Sequence, residues 1–217
     1  MVVSRGDLSM NTFLKFLLLF IVLLTNELKT QSLSTWGIKF GLNQTHITGG
    51  SSSTAKIGQS VGFYWRFLTS GKLYVQPELL YCYKRSAIKR PDVDEWNSRR
   101  FFHEIHTPVL VGYETGDKTS VSPVSLAAGF SPVYRVRTGA DYTGDRQGEA
   151  HTRKTDFELI LGVGLRLPFH GNYMTLDGRI GFSQSALFVF SQANDDNSFK
   201  TKGYHMTTLS LLLGFPI

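Results

Sequence analysis

The chain has 217 residues, with 23 Lys and Arg against 17 Asp and Glu, a net charge of +6 and one cysteine, Cys82. A lone cysteine rules out an intrachain disulfide and a cysteine-based metal centre. The basic balance comes without any dense Lys/Arg cluster, which argues against a nucleic-acid partner.

In chain order, Lys15 precedes the apolar run Phe16–Leu24, and the polar stretch Thr25–Gln31 follows. About nine apolar residues are too few for a membrane-crossing helix and suit the core of a signal peptide. Met10 would serve as a start. The expected layout is a signal peptide over residues 1–30, cut between Thr30 and Ser34, and one domain over residues 31–217. The alternative is a membrane-anchored N-terminus. The leader takes Arg5, Lys15 and Lys29 with Asp7 and Glu27, so the remainder stays basic.

The rest of the chain reads as strands with period-two alternation. Strand one sets Trp36, Ile38, Phe40 and Leu42 against Gly37, Lys39, Gly41 and Asn43, before a polar loop over Gln44–Gly58. Strand two sets Val61, Phe63, Trp65 and Phe67 against Gly62, Tyr64 and Arg66. Thr69-Ser70-Gly71 turns into strand three, where Leu73, Val75, Pro77, Leu79, Tyr81 and Tyr83 share one face. Proline removes a ladder donor, so a bulge is expected at Pro77.

After a polar stretch, Arg85–Arg100, strand four runs from about Phe101 to Tyr113, and Glu114–Val121 forms a shorter connection. Strand five places Val124 through Val136 outward at alternate positions, with Ser125 through Arg135 opposite. A polar loop, Thr138–Lys154, follows. The clearest signal is the pair of runs Asp156–Phe169 and Asn172–Leu187, joined at Pro168-Phe169-His170-Gly171. Then come a polar loop, Phe188–Lys202, and strand eight, with Thr207, Leu209, Leu211, Leu213 and Phe215 on one face.

The class follows from the second face of the central hairpin. Opposite Phe157, Leu159, Leu161, Val163 and Leu165 stand glycines and sparse charges of both signs. Small residues with paired charges suit the interior of a narrow transmembrane barrel whose apolar face meets lipid. The strand count is even, and connections alternate long and short, as in barrels with periplasmic turns and external loops. The expected fold is therefore all-β: an eight-stranded antiparallel up-and-down transmembrane β-barrel in the bacterial outer membrane. A soluble β-barrel or sandwich is the competing architecture.

Several stretches resemble the PorT-like outer-membrane β-barrel family of Bacteroidetes. They are Gly37-Ile38-Lys39-Phe40-Gly41-Leu42-Asn43, Val75-Gln76-Pro77-Glu78-Leu79-Leu80-Tyr81, and Glu104-Ile105 with Pro108-Val109-Leu110. In the third stretch His106 and Thr107 interrupt the family pattern. Ala128-Gly129-Phe130 and Gly162-Val163-Gly164 are similar to its glycine pairs. The resemblance implies an eight-stranded outer-membrane barrel without enzyme activity, and some relatives serve type IX secretion and gliding. The chain departs from the usual outer-membrane ending, since Phe215 is followed by Pro216 and Ile217.

With this alternation Lys39, Arg66, Glu78, Glu104, Arg135, Glu158, Arg166, Asp177 and Arg179 point into the lumen. Eight strands leave an interior just filled by side chains, so these charges are expected to pair as a structural plug. The sharper alternative is a narrow gated pore. Glu104 and His106 share a face and could form part of a hydrolytic site, yet no serine nucleophile stands out, and His103 lies on the other face. Asn194-Asp195-Asp196-Asn197 offers oxygen ligands for calcium without the spacing of a calcium loop. Trp36, Trp65, Tyr81, Tyr83, Tyr113 and Tyr134 suit aromatic girdles at the membrane interfaces.

No catalytic, cofactor-binding or metal site is expected. The expected role is non-enzymatic, structural or surface-interacting. The alternatives are a secretion or transport accessory, a lipid-modifying enzyme and a soluble lipocalin-like barrel. Expected partners are outer-membrane lipid, the barrel-assembly machinery during insertion, and envelope proteins.

Overall fold

The computed structural model describes residues 34–48, 52–68, 72–89, 97–115, 123–143, 154–169, 172–184, 189–193, 199–203 and 205–217. The leader, its cleavage site and the Asn194–Asn197 stretch lie outside them. The strands are β1 (Ser34–Thr48), β2 (Ser52–Leu68), β3 (Leu73–Lys89), β4 (Asn97–His106), β5 (Val109–Glu114) and β6 (Val124–Thr143). They continue with β7 (Thr155–Phe169), β8 (Asn172–Ser183), β9 (Val189–Ala193), β10 (Phe199–Gly203) and β11 (His205–Pro216). Among the described residues no helix is long and apolar enough to cross a membrane.

Every wall strand pairs antiparallel with its sequence neighbour, and β11 pairs with both β8 and β1. β4 and β5 occupy one wall position, between β3 and β6. The ring thus closes with eight positions and no free edge, so the wall's backbone polar groups are satisfied without water. Pairing of Gly37 with Pro216 brings both ends of the wall to one side.

Alternation decides which side of each strand meets lipid. Leu42, Leu161 and Leu211, on the outer face, are 53%, 54% and 55% exposed, values that would be costly in water but are natural against hydrocarbon. On the same strands Lys39, Glu158 and Leu212 point inward and are buried. Aromatic pairs decorate the outside: Phe40 stacks on Phe215 at 5.4 Å, and Phe130 on Phe157 at 5.4 Å. Trp36 and Trp65 are direct register partners on the outer face at the end that carries the chain termini.

Four sequence expectations need correction. First, most of the polar stretches 44–58 and 85–100 is strand, and so are residues 138–143 of the stretch 138–154, because β1, β2, β3, β4 and β6 continue into them. Alternation persists there with polar residues: Thr45 and Ser86 face in while Gln44 and Arg85 face out. Strands of 15, 17 and 20 residues in β1, β2 and β6 exceed the roughly 9–11 a membrane requires. They project beyond it on the side away from the termini. Second, the Phe188–Lys202 stretch holds the small β9–β10 hairpin. Third, the run to Leu187 ends as strand at Ser183.

Fourth, Pro77 carries no bulge. Its register with Val109 continues that of Leu80 with His106. The chain yields instead at Thr107–Pro108, which separates β4 from β5. Pro77, Pro108 and Pro132 lie on neighbouring wall positions, and the carbonyls of Pro108 and Pro132 accept from Glu78 N and Thr107 N. The register shifts lie between Lys56 and Gln59 against β3, and between His103 and Glu104 against β6.

Candidate functional site: the charged lumen

The inner face of β3 sets out the lumen in layers. Tyr74, Gln76 and Glu78 lie toward the terminal side, Leu80 and Cys82 in the middle, and Lys84 and Ser86 beyond. β7 repeats the order from its own direction, with Arg166 at the first level, Ile160 in the middle, and Glu158 and Asp156 at the far level. Two polar knots, separated by an apolar layer, are the result.

The first knot centres on Glu78. Lys39 Nζ donates to it at 2.8 Å, and Arg179 donates through both terminal nitrogens at 2.7 Å each. Asp177 takes Lys39 and, at 3.1 Å, Arg179. Gln76 links Glu78 to Arg66, whose Nη1 reaches Glu114 at 2.8 Å. Arg166 also donates to Glu114, at 2.6 Å. The rings line the knot: the Arg66 guanidinium sits 4.2 Å from the Tyr74 centroid, and Lys39 Nζ 4.9 Å from that of Tyr64.

The second knot centres on Glu104. It faces Lys84 at 3.2 Å, Arg135 at 2.8 Å and His106 at 2.9 Å. Glu158 bridges Lys84 at 3.1 Å and the other His106 ring nitrogen at 3.3 Å. Arg135 continues to Asp156 at 2.8 Å, and the Ser183 hydroxyl donates to the same carboxylate. Between the knots is a void of about 40 Å³, touched by Asn43, Leu80, His106 and Arg179. It has room for a few waters and no larger solute.

The nine charged residues singled out in the sequence divide between the knots. Lys39, Arg66, Glu78, Arg166, Asp177 and Arg179 join in the first, and Glu104, Arg135 and Glu158 in the second. Arg166 is the least enclosed, its side chain 24% exposed. Sequence reading missed Lys84, Glu114 and Asp156. Each stands two residues beyond an inward position, after Cys82, after Gly112 and before Glu158, so carrying the alternation further would have found them. His106 is bound into the second knot, while His103 lies outside and meets the Tyr81 hydroxyl at 2.5 Å. No three of the described His, Cys, Asp and Glu side chains are grouped to hold a metal ion.

The model of a family described as "outer membrane protein beta-barrel domain" matches residues 29–189, which contain β1 to β8. The chain belongs to this family. That membership and the lipid-facing apolar wall place the barrel in the outer membrane. Among solved structures, OprG of Pseudomonas aeruginosa resembles the barrel with a TM-score of 0.49 at 10% identity, over 85% of this chain and 94% of that one. Neisserial surface protein A gives 0.45 at 14% identity, over 85% and 99%. The outer-membrane enzyme PagL gives 0.43 at 14% identity, over 81% and 99%. No curated protein sequence matches this chain.

Proposed function

We propose that this outer-membrane barrel has a non-enzymatic, structural or surface-interacting role, with a lumen locked by its own charges. One observation carries this reading. The two groups best suited to acid–base chemistry, Glu104 and His106, are bound to each other and to Lys84, Arg135 and Glu158, all buried. A general base must reach a proton on its substrate, and the adjoining void is far below substrate size.

The stretches at Gly37–Asn43 and Val75–Tyr81 support a finer assignment, to the PorT-like proteins of Bacteroidetes, with residues 1–30 as an export signal. The charges of the lumen then serve the barrel's rigidity. The experiment compares membranes that carry the wild-type chain with membranes that carry Glu104→Ala or His106→Ala. Identical lipid profiles by mass spectrometry are expected, whereas a lipid modification that disappears with either variant would make the barrel an enzyme.

A further inference from the structure

Among the described side chains the two faces of the wall differ in charge: the lumen holds both signs, and the outer face carries cations alone. Every carboxylate whose side chain is described, from Glu78 to Asp177, is turned into the lumen. Among the described residues the exposed charges on the projecting outer wall are all basic: Lys56, Arg85, Arg99 and Arg137. Charge balance inside the barrel accounts for the first set and leaves the second unexplained.

Their placement follows a rule. Along the outer face of β3 the side chains run Leu79, Tyr81, Tyr83, Arg85; along β4 they run Ile105, His103, Phe101, Arg99. β6 passes Phe130 and Tyr134 before Arg137. Each of these three strands thus crosses from aliphatic to aromatic to cation, on the side away from the termini. Lys56 is the register partner of Arg85 on the neighbouring strand, and Arg137 is that of His103, which lies on the outer face. On β1 and β11 the corresponding exposed positions are His46 and His205.

We propose that this belt on β2, β3, β4 and β6 binds the phosphate groups of phosphorylated glycolipid in the outer leaflet. Aromatic side chains mark the boundary between hydrocarbon and headgroup, so the next outward position lies at headgroup level. Three of the four cations are arginines, whose planar fork grips phosphate through two parallel hydrogen bonds. The cations face sideways from the wall, toward neighbouring lipid. A soluble polyanion would be met more readily from the loop tips.

The test uses the folded full-length barrel in detergent micelles and a fluorescent bisphosphorylated lipid A. The triple variant R85Q/R99Q/R137Q is expected to weaken binding at least about tenfold, the scale of one charged hydrogen bond. Lys72→Gln, at the opposite end, should bind as wild type, and dephosphorylated lipid A should bind weakly to all three proteins. Heat-dependent gel mobility verifies that each is folded. If the triple variant fails that check, the three single variants take its place, with losses of about two- to fivefold each expected. Equal binding of the dephosphorylated glycolipid, or unchanged binding by the variants, overturns the proposal. So does preferential binding of a soluble sulfated polysaccharide, which would give the belt to a different ligand.

Discussion

Glu78 shows what a buried charge demands of its neighbours. Its two oxygens hold Lys39 and both arms of Arg179, and none of the three side chains is more than 7% exposed. Removing one member of such a set leaves an uncompensated charge in a medium that solvates it poorly. Glu78→Ala is therefore expected to cost about 3–5 kcal/mol, read as an earlier midpoint when the folded, heat-shifted fraction is followed through urea. Glu78→Ala combined with Arg179→Met should recover a large part of that loss, because Asp177 still neutralises Lys39. A double variant as unstable as the single one would show that the pairing is not the source.

Gly112 makes the same point through shape. It is the register partner of Tyr74, and a methyl group on it would run into the Tyr74 ring. That ring also carries the Arg66 guanidinium, so the displacement would pass into the first knot. Gly112→Ala is expected to destabilise the barrel by about 1–3 kcal/mol, as overpacking does. Tyr74→Leu should make the second substitution nearly neutral, a non-additivity that a double-mutant cycle in urea would detect.

At the level of elements, the sequence was legible wherever one face was continuously apolar. β7 and β8 were plain, since Leu159, Leu161, Val163 and Leu165 alternate with Gly162, Gly164 and Arg166. Where the outward residues turn polar, as in Gln44, His46 and Thr48 of β1, period two remains but hydrophobic contrast vanishes, and strand resembled loop. The pairing of charges was not legible at all. Lys39 and Asp177 are 138 positions apart and meet only through ring closure. Inward position could be read from alternation, while the choice of partner depends on register and tilt around the whole wall.

The prolines show how local chemistry yields to the ring. Pro77, Pro108 and Pro132 remove donors from three adjoining wall positions, and the strand breaks at Thr107–Pro108 without losing register. Thr107 N keeps a bond of 3.1 Å to the Pro132 carbonyl, with a missing donor next to it on either strand. Sparse local bonding lowers the free energy of opening. The Thr107 amide should exchange with solvent at least about tenfold faster than that of Ile160 in β7, measured by hydrogen–deuterium exchange in micelles. Equal protection would mean that the neighbouring strands clamp the seam fully.

At the scale of the molecule, the two knots are barriers in series. The first spans β1, β2, β3, β5, β7 and β8; the second spans β3, β4, β6, β7 and β8; Leu80 and Ile160 lie between them. An ion crossing the lumen would have to part both sets of pairs within a low-dielectric interior, where each separation costs several kcal/mol. The wild-type barrel in a planar bilayer should therefore show no steady conductance. Opening one knot, with Glu78→Ala and Arg179→Ala together, should leave it closed, because the Glu104 knot still fills the outer half. Removing Glu104 and Arg135 as well joins the cavities and should admit small ions in brief openings. A steady wild-type current would identify the charges as a conducting lining, and the lumen would then be a selective pore whose pairs exchange partners as ions pass.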